Sequence, residues 1–369
     1  MSGEDCLRAV DGENLDVMTD SDTHPTAPVL VTGGSGFIAG HCILQLLAAG
    51  RTVRTTIRSL RGEAALRGVL AAAGAGEDEL SRLSVLPADL LDDAGWAEAV
   101  AGTDAVLHVA SPVRPGHVED EDSLVTPARE GALRVLRASR DEGVRRVVLT
   151  SAFHAAGFGH GRVERVFTEE DWSPLHGPGM DAYGRSKVLA EQAAWDFART
   201  EPGAPELTTI LPVAVLGPVL GGSVSGTNHL LQQMLSGSMP GYPDVAIPLV
   251  DVRDVAAAHL AAIDAPGAAG RRILLTAQES AVPMRDIAAL LRSRLGPRAA
   301  KVPTRTIPSL VVRVTARFRP ELRSAAADLG YVKRVSTRGA HDPLGLEPRP
   351  WQEAVLAGAE SMLERGLVD

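Results

Sequence analysis

Cysteine is nearly absent from this 369-residue chain. Its two copies, Cys6 and Cys42, are too few for a disulfide framework or a cysteine-built metal cluster. Cys42 falls in an apolar stretch and reads as a small buried hydrophobe. Aromatic residues make up only 4% of a composition that is 45% hydrophobic and 22% charged, so Ala, Gly and Val carry much of an otherwise ordinary globular core. No stretch of about 18 apolar residues occurs, and no basic segment leads into an apolar one at the start. The expectation is a cytoplasmic protein with no membrane partner. The ten histidines show no H-E-x-x-H or other paired-ligand spacing, so no metal site is expected. A G-x-S-x-G nucleophile turn is also missing, which argues against a hydrolase of that type.

Positive charge is outnumbered, with 37 Lys and Arg against 46 Asp and Glu. The net charge is -9, and residues 1 to 28 hold seven acids (Glu4, Asp5, Asp11, Glu13, Asp16, Asp20 and Asp22) against Arg8 alone. The remainder is close to neutral and offers no basic stripe for a phosphate backbone, so nucleic acid is not an expected partner. The acidic, hydrophobe-poor residues 1–27 read as a disordered tail.

From Pro28 the pattern changes to short apolar runs separated by helical periodicity, the rhythm of stacked βαβ units around a parallel sheet. Strands are predicted near Val29 to Thr32, Thr52 to Ile57, Leu83 to Pro87, Ala105 to Ala110, Arg146 to Thr150 and Leu207 to Leu211. Helices are predicted from Phe37 to Ala49, closed by Gly50, and from Ala182 to Arg199. The expected fold is therefore α/β: a doubly wound Rossmann-type parallel sheet over residues 28–212, with a smaller, irregular lobe over 213–369. Segments near 247–256 and 272–275 are expected to return to the main core. Pro218, Gly221, Gly222, Pro240, Pro243 and Pro248 mark the loops of that lobe.

The first strand runs directly into Gly33-Gly34-Ser35-Gly36-Phe37-Ile38-Ala39-Gly40. Gly33 suits a tight turn, Gly36 lets the backbone approach a pyrophosphate, and small Ala39 lets the helix pack close to the sheet. The helix start, around Ser35, Gly36, Phe37 and Ile38, would offer amides and a positive dipole end to phosphates. An acid at the end of the second strand would bind the 2′-hydroxyl of NAD. The segment from Arg51 to Leu60 has none and instead presents Arg54 and Arg58. An arginine at Arg58 can pair with the 2′-phosphate of NADP, so NADP (NADPH) is the expected cofactor. Further on, Tyr183 and Lys187 are four apart on a predicted helix and share a face, where the ammonium could favour the phenolate and lower the phenol pKa.

Within Val31-Thr32-Gly33-Gly34-Ser35-Gly36-Phe37-Ile38-Ala39 the glycine spacing resembles the extended short-chain dehydrogenase/reductase family, and especially its dihydroflavonol reductase-like aldehyde and ketone reductases. The resemblance runs from about Val29 to the C-terminus. It implies that Tyr183 donates a proton and that Lys187 holds the nicotinamide ribose. It implies cofactor contacts from Asp89 and Leu90, from Val109, Ala110 and Ser111, and from Pro212 and Val213. It also implies that Val147 to His154 is the fifth strand and catalytic-serine turn, and that Thr150, Tyr183 and Lys187 contact the cofactor. Family members often have two adjacent hydroxyl residues there, of which the second binds the substrate oxygen. That second position is Ala152, so Ser151 becomes the candidate catalytic donor, with Thr150 and His154 as alternatives. Asp251 and Asp254, at another family landmark, read as structural.

The reading is an NADPH-dependent oxidoreductase that takes a small-molecule carbonyl substrate to an alcohol, as a monomer or homodimer. A nucleotide-sugar epimerase or dehydratase that retains NAD, and a dinucleotide sensor without chemistry, are the alternatives. The substrate pocket would draw on Pro112 to Val118, Phe153 to Phe158 and Gly217 to Leu231.

Overall fold

A computed structural model describes residues 27–111, 121–319 and 322–368. All but the last residue of the expected acidic tail, and the candidate pocket segment Pro112 to Val118, lie outside the described residues. Seven parallel strands form the central sheet: β1 (Val29–Val31), β2 (Val53–Ile57), β3 (Leu83–Pro87), β4 (Ala105–His108), β5 (Arg146–Thr150), β6 (Glu206–Pro212) and β7 (Arg272–Leu275). Their spatial order is β7-β6-β5-β4-β1-β2-β3. The chain therefore reverses direction between β1 and β4, the position where doubly wound sheets open a crevice at the carboxyl ends of their strands.

Both faces of this sheet are covered, and the strands show why. In β1, Val29 and Val31 join one hydrophobic cluster while Leu30 joins another on the opposite face. In β4, Ala105 and Leu107 divide from Val106 in the same way. Alternation with period two, apolar at every position, is what a two-sided core demands. Each such Val or Leu, fully buried, contributes about 1.5–3 kcal/mol. Helices α1 (Phe37–Ala48) and α4 (Val252–Asp264) pack together, as do α2 (Asp122–Asp141) and α3 (Ala182–Thr200).

The sequence-level strand positions agree with the sheet to within two residues. Residues 272–275 form β7 beside β6; residues 247–250 stay out of the seven-stranded sheet, although Val250, Val255 and Ala256 of the 247–256 segment pack into the main core. Instead, Ala246–Ile247 pairs with Val282–Pro283, and Leu249–Asp251 pairs in parallel with Ala214–Leu216. The lobe has its own core, with Leu216, Leu231, Met234, Leu249, Ile287, Leu291, Val355 and Met362 at its centre. Asp251 caps α4 through the Arg253 amide (2.8 Å) and pairs with the Arg253 guanidinium (2.6 Å). Asp254 pairs with Arg349. Among the described residues no helix is long and apolar enough to cross a membrane.

Candidate active site

The end of β1 is shaped by main chain. Gly33 adopts φ +72°, a conformation that side chains resist, and a Cβ there would lie 3.0 Å from that of Ala110. Gly34, which the spacing argument passed over, has no room for a side chain: its Cβ would meet Thr55 Oγ1 at 2.3 Å. The turn is pinned by Gly33 N–H donating to Thr56 Oγ1 (3.1 Å), Gly34 N–H to Thr56 O (2.8 Å) and Gly36 N–H to Gly33 O (2.8 Å). Gly36 is the N-cap of α1 and makes no side-chain capping bond. Ser35 and Gly36 are exposed and Phe37 and Ile38 half-buried, so the first-turn amides are accessible to a phosphate. This cradle fits a dinucleotide.

Neighbouring strand ends supply the rest of that wall. Arg58 follows β2, is exposed, and has no hydrogen-bonding or ionic partner among the described residues. Arg54 is committed elsewhere. Its guanidinium donates to the carbonyls of Glu98 (3.2 Å), Ala99 (3.0 Å) and Ala101 (2.7 Å) at the end of a short helix, which removes it as a phosphate ligand. Asp89 follows β3 and accepts the Leu91 amide at 3.0 Å, while Leu90 packs on Gly131 of α2 and its carbonyl accepts from Arg134 (2.7 Å). Beyond β4, the Ala110 amide donates to Thr32 Oγ1 (2.9 Å), and that hydroxyl also shares a hydrogen bond with His108 Nδ1 (2.9 Å). Burial, with the nearby Lys187 charge, pushes His108 down to about 3. Val109 and Ser111 flank Ala110. Pro212 ends β6 opposite Leu275, and Val213 follows, its amide donating to the Leu275 carbonyl (3.1 Å).

The reaction end lies where α3 passes the end of β5. Asp181 caps this helix by accepting the Gly184 amide at 2.8 Å, which fixes where the first turn presents Tyr183. Lys187 is buried, and its Nζ donates to Ser111 Oγ (3.1 Å) and the Thr150 carbonyl (3.4 Å). It stands 5.8 Å from the centre of the Tyr183 ring. The spacing argument expects this ammonium to lower the phenol pKa, and the balance here is the reverse. Desolvation, reinforced by the Asp181 charge, pushes Tyr183 up to about 12. Desolvation also brings Lys187 down to about 8, against the attraction of Glu191. A phenol held in this way keeps its proton near neutral pH and is available as an acid.

The Ser151 hydroxyl is turned inward. It donates to Glu191 Oε2 at 2.6 Å. The same buried carboxylate accepts from Thr209 Oγ1 (2.8 Å), Trp195 Nε1 (3.3 Å) and Arg272 Nε (2.8 Å). Arg272 also donates to the carbonyls of Glu169 (2.7 Å) and Asp171 (2.5 Å) and stacks on Trp172 at 3.7 Å. The donor role expected of Ser151 therefore conflicts with its geometry, because its one proton already serves a buried anion. Thr150 is spent in a similar way. His259 Nδ1 donates to the Val255 carbonyl (2.7 Å), and burial holds the ring neutral, with its pKa down to about 4. Its Nε2 is then an acceptor for the Thr150 hydroxyl at 2.7 Å.

His154 completes this end. Its ring lies flat on Phe158 (centroids 3.9 Å, 12°) and meets Tyr183 edge-on (5.0 Å, 80°). Glu191, Arg272 and His259 escaped the sequence reading. Glu191 continues the Tyr183–Lys187 face by one more turn of four residues and could have been found that way. Arg272 and His259 reach this site only through tertiary packing.

Residues 29–275 match the model of the NAD dependent epimerase/dehydratase family. The chain is 36% identical over 250 residues to tetraketide alpha-pyrone reductase 2 of Arabidopsis thaliana, covering 66% of this chain and 76% of that protein. It is 32% identical over 273 residues to dihydroflavonol 4-reductase of Zea mays, covering 72% and 74% respectively. Its structure is similar to that of the yeast methylglyoxal/isovaleraldehyde reductase Gre2 complexed with NADPH, with a TM-score of 0.74 and 25% identity, across 91% of this chain and 98% of that one.

Proposed function

The chain belongs to the NAD dependent epimerase/dehydratase family, and on that footing we propose that it is an NADPH-dependent reductase that converts an aldehyde or ketone into an alcohol. One observation supports this reading: a main-chain cradle suited to phosphate follows β1, a Tyr183–Lys187 pair on α3 stands by the end of β5, and Lys187 Nζ bridges toward the β4 end by donating to Ser111 Oγ (3.1 Å).

Gly33, Ser35, Gly36, Phe37 and Ile38 would hold the pyrophosphate, and Arg58 the 2′-phosphate that separates NADPH from NADH. Asp89 and Leu90 would border the adenine, while Val109, Ala110, Ser111, Thr150, Pro212 and Val213 would line the nicotinamide side. When bound, NADPH would supply the hydride for the carbonyl carbon. As the C=O electron pair moves onto oxygen, the Tyr183 hydroxyl gives that oxygen its proton. Lys187, anchored by Ser111 and the Thr150 carbonyl, orients the ribose and offsets the phenolate charge left on Tyr183.

The test is NADPH oxidation across a panel of aromatic and aliphatic aldehydes, ketones and diketones. Tyr183→Phe is expected to keep cofactor binding and lose about 10²-fold or more in turnover, the usual share of general acid catalysis. Purified protein that carries tight NAD and turns over without added cofactor would favour the epimerase or dehydratase reading, against which stands Arg58, exposed and without a partner among the described residues.

A further inference from the structure

A carbonyl reduction needs a hydrogen bond to the oxygen besides that of the acid itself, because negative charge develops there as hydride arrives. Ala152 has no hydroxyl to give. The hydroxyls on either side of the β5 end are committed inward, Thr150 to His259 and Ser151 to the Glu191–Arg272 pair. Releasing Ser151 outward would leave a buried carboxylate short of a charge-assisted bond.

His154 is placed differently. Neither of its ring nitrogens hydrogen-bonds to another group among the described residues; its ring contacts there are the Phe158 stack and the Tyr183 edge, and the charges of Asp181, Lys333, Lys187 and Asp328 act on it from nearby. Two donors that share one oxygen at about 2.8 Å each must lie within about 5.6 Å of one another. Rings with centroids 5.0 Å apart can present a phenol oxygen and an imidazole nitrogen across that span.

We propose that His154 donates this second hydrogen bond to the substrate's carbonyl oxygen, in place of the hydroxyl that Ala152 lacks. The assignment rests on the reductase reading and adds a catalytic residue to it. The Phe158 face fixes the plane of the ring, so the donor direction is set before substrate enters. Desolvation holds His154 neutral, with a pKa down to about 4. A neutral imidazole keeps one N–H and does not surrender it, so the proton that moves remains that of Tyr183. The His154 proton stays on nitrogen throughout, and the C=O pair ends in the new O–H bond.

The experiment compares His154→Phe, which keeps an aromatic ring against Phe158 but has no donor, with His154→Ala. It also adds Ala152→Ser to His154→Phe. Turnover of the best carbonyl in the panel is read beside NADPH affinity from a fluorescence titration. Both single variants should lose about 10²-fold in turnover, the usual worth of one oriented donor, with NADPH affinity unchanged within about twofold. The double variant should regain about tenfold or more, since a hydroxyl at position 152 restores the missing bond. His154→Phe turning over within about threefold of the unaltered chain would overturn the assignment of His154 while leaving the reductase reading intact. So would a slow His154→Phe whose NADPH affinity falls in proportion, since the ring would then act through the cofactor wall. An unaltered chain that oxidises NADPH with no member of the panel would overturn the reductase reading itself, and the role of His154 with it.

Discussion

At the nucleotide end of the crevice, the groups assigned to the ligand are mostly main chain: the Gly33 turn, the glycine at Gly34 that Thr55 crowds, and the open first turn of α1. At the reaction end they are side chains: Tyr183, Lys187 and His154, of which Lys187 is held by Ser111 Oγ and the Thr150 carbonyl, and His154 by the faces and edges of the Phe158 and Tyr183 rings. A site made from backbone depends on a few torsions set within about ten residues. A site made from side chains depends on which donor reaches which acceptor first. By this contrast the first end is suited to a dinucleotide by its shape, while at the second the hydroxyls of Thr150 and Ser151 already carry other hydrogen bonds.

Acid is expected to have the largest effect, and it acts on both ends alike. His154 and His259 stand at the reaction end with their pKa values brought down to about 4, and His108 behind the nucleotide loop is brought down to about 3. Each is neutral in the fold and would charge near 6.5 when unfolded, so the unfolded chain binds the extra protons. Their contribution to stability is complete above pH 6.5 and is lost as pH falls toward 4, by about 1.4 kcal/mol per pH unit for each group in its window. Glu169 and Asp254, held above the ordinary carboxylate range by burial, work in the opposite direction and soften the fall. Denaturant midpoints measured from pH 7 to pH 4 should decline steadily, and a flat profile would contradict the neutral assignments.

The next largest effect is expected from the pair that turns Ser151 inward. Glu191→Ala leaves the Arg272 guanidinium buried without its anion, and breaking such a pair costs about 3–5 kcal/mol. Chemical denaturation should show that loss. A shift below about 1 kcal/mol would mean that the network does not hold the β5 turn. At the nucleotide end, by contrast, removing a side chain should spare the fold and touch only the ligand. Arg58→Ala is expected to leave the denaturation midpoint in place and to weaken NADPH by about 2 kcal/mol relative to NADH, the worth of a charge-assisted hydrogen bond. Equal losses for both cofactors would contradict the assignment of Arg58.

Much of the nucleotide end was legible before any fold was seen. The strand, the glycine turn and the helix are consecutive in the chain, and the positive φ at Gly33 is a demand that sequence displays openly. Arg54 and Arg58 looked alike there, because only the fold brings the carbonyls of Glu98, Ala99 and Ala101 to Arg54 and leaves Arg58 exposed. Residues 247–250 likewise carry a strand pattern, but hydropathy alone does not say which strand they pair with, and Ala214–Leu216 and Val282–Pro283 took them in place of the main sheet.

What the sequence determined by itself is local: the βα rhythm, the cradle at Gly33 to Ile38, and the shared face of Tyr183 and Lys187, each fixed by contacts only a few residues apart. The tertiary structure decided where shared protons go. Ser151 meets Glu191 across 40 residues, Thr150 meets His259 across 109, and Arg272 reaches Glu191 across 81. A hydroxyl has one proton to donate, and which acceptor takes it depends on distance in space, so the same Thr150-Ser151-Ala152 segment that reads as a donor turn becomes part of the core and leaves His154 facing Tyr183.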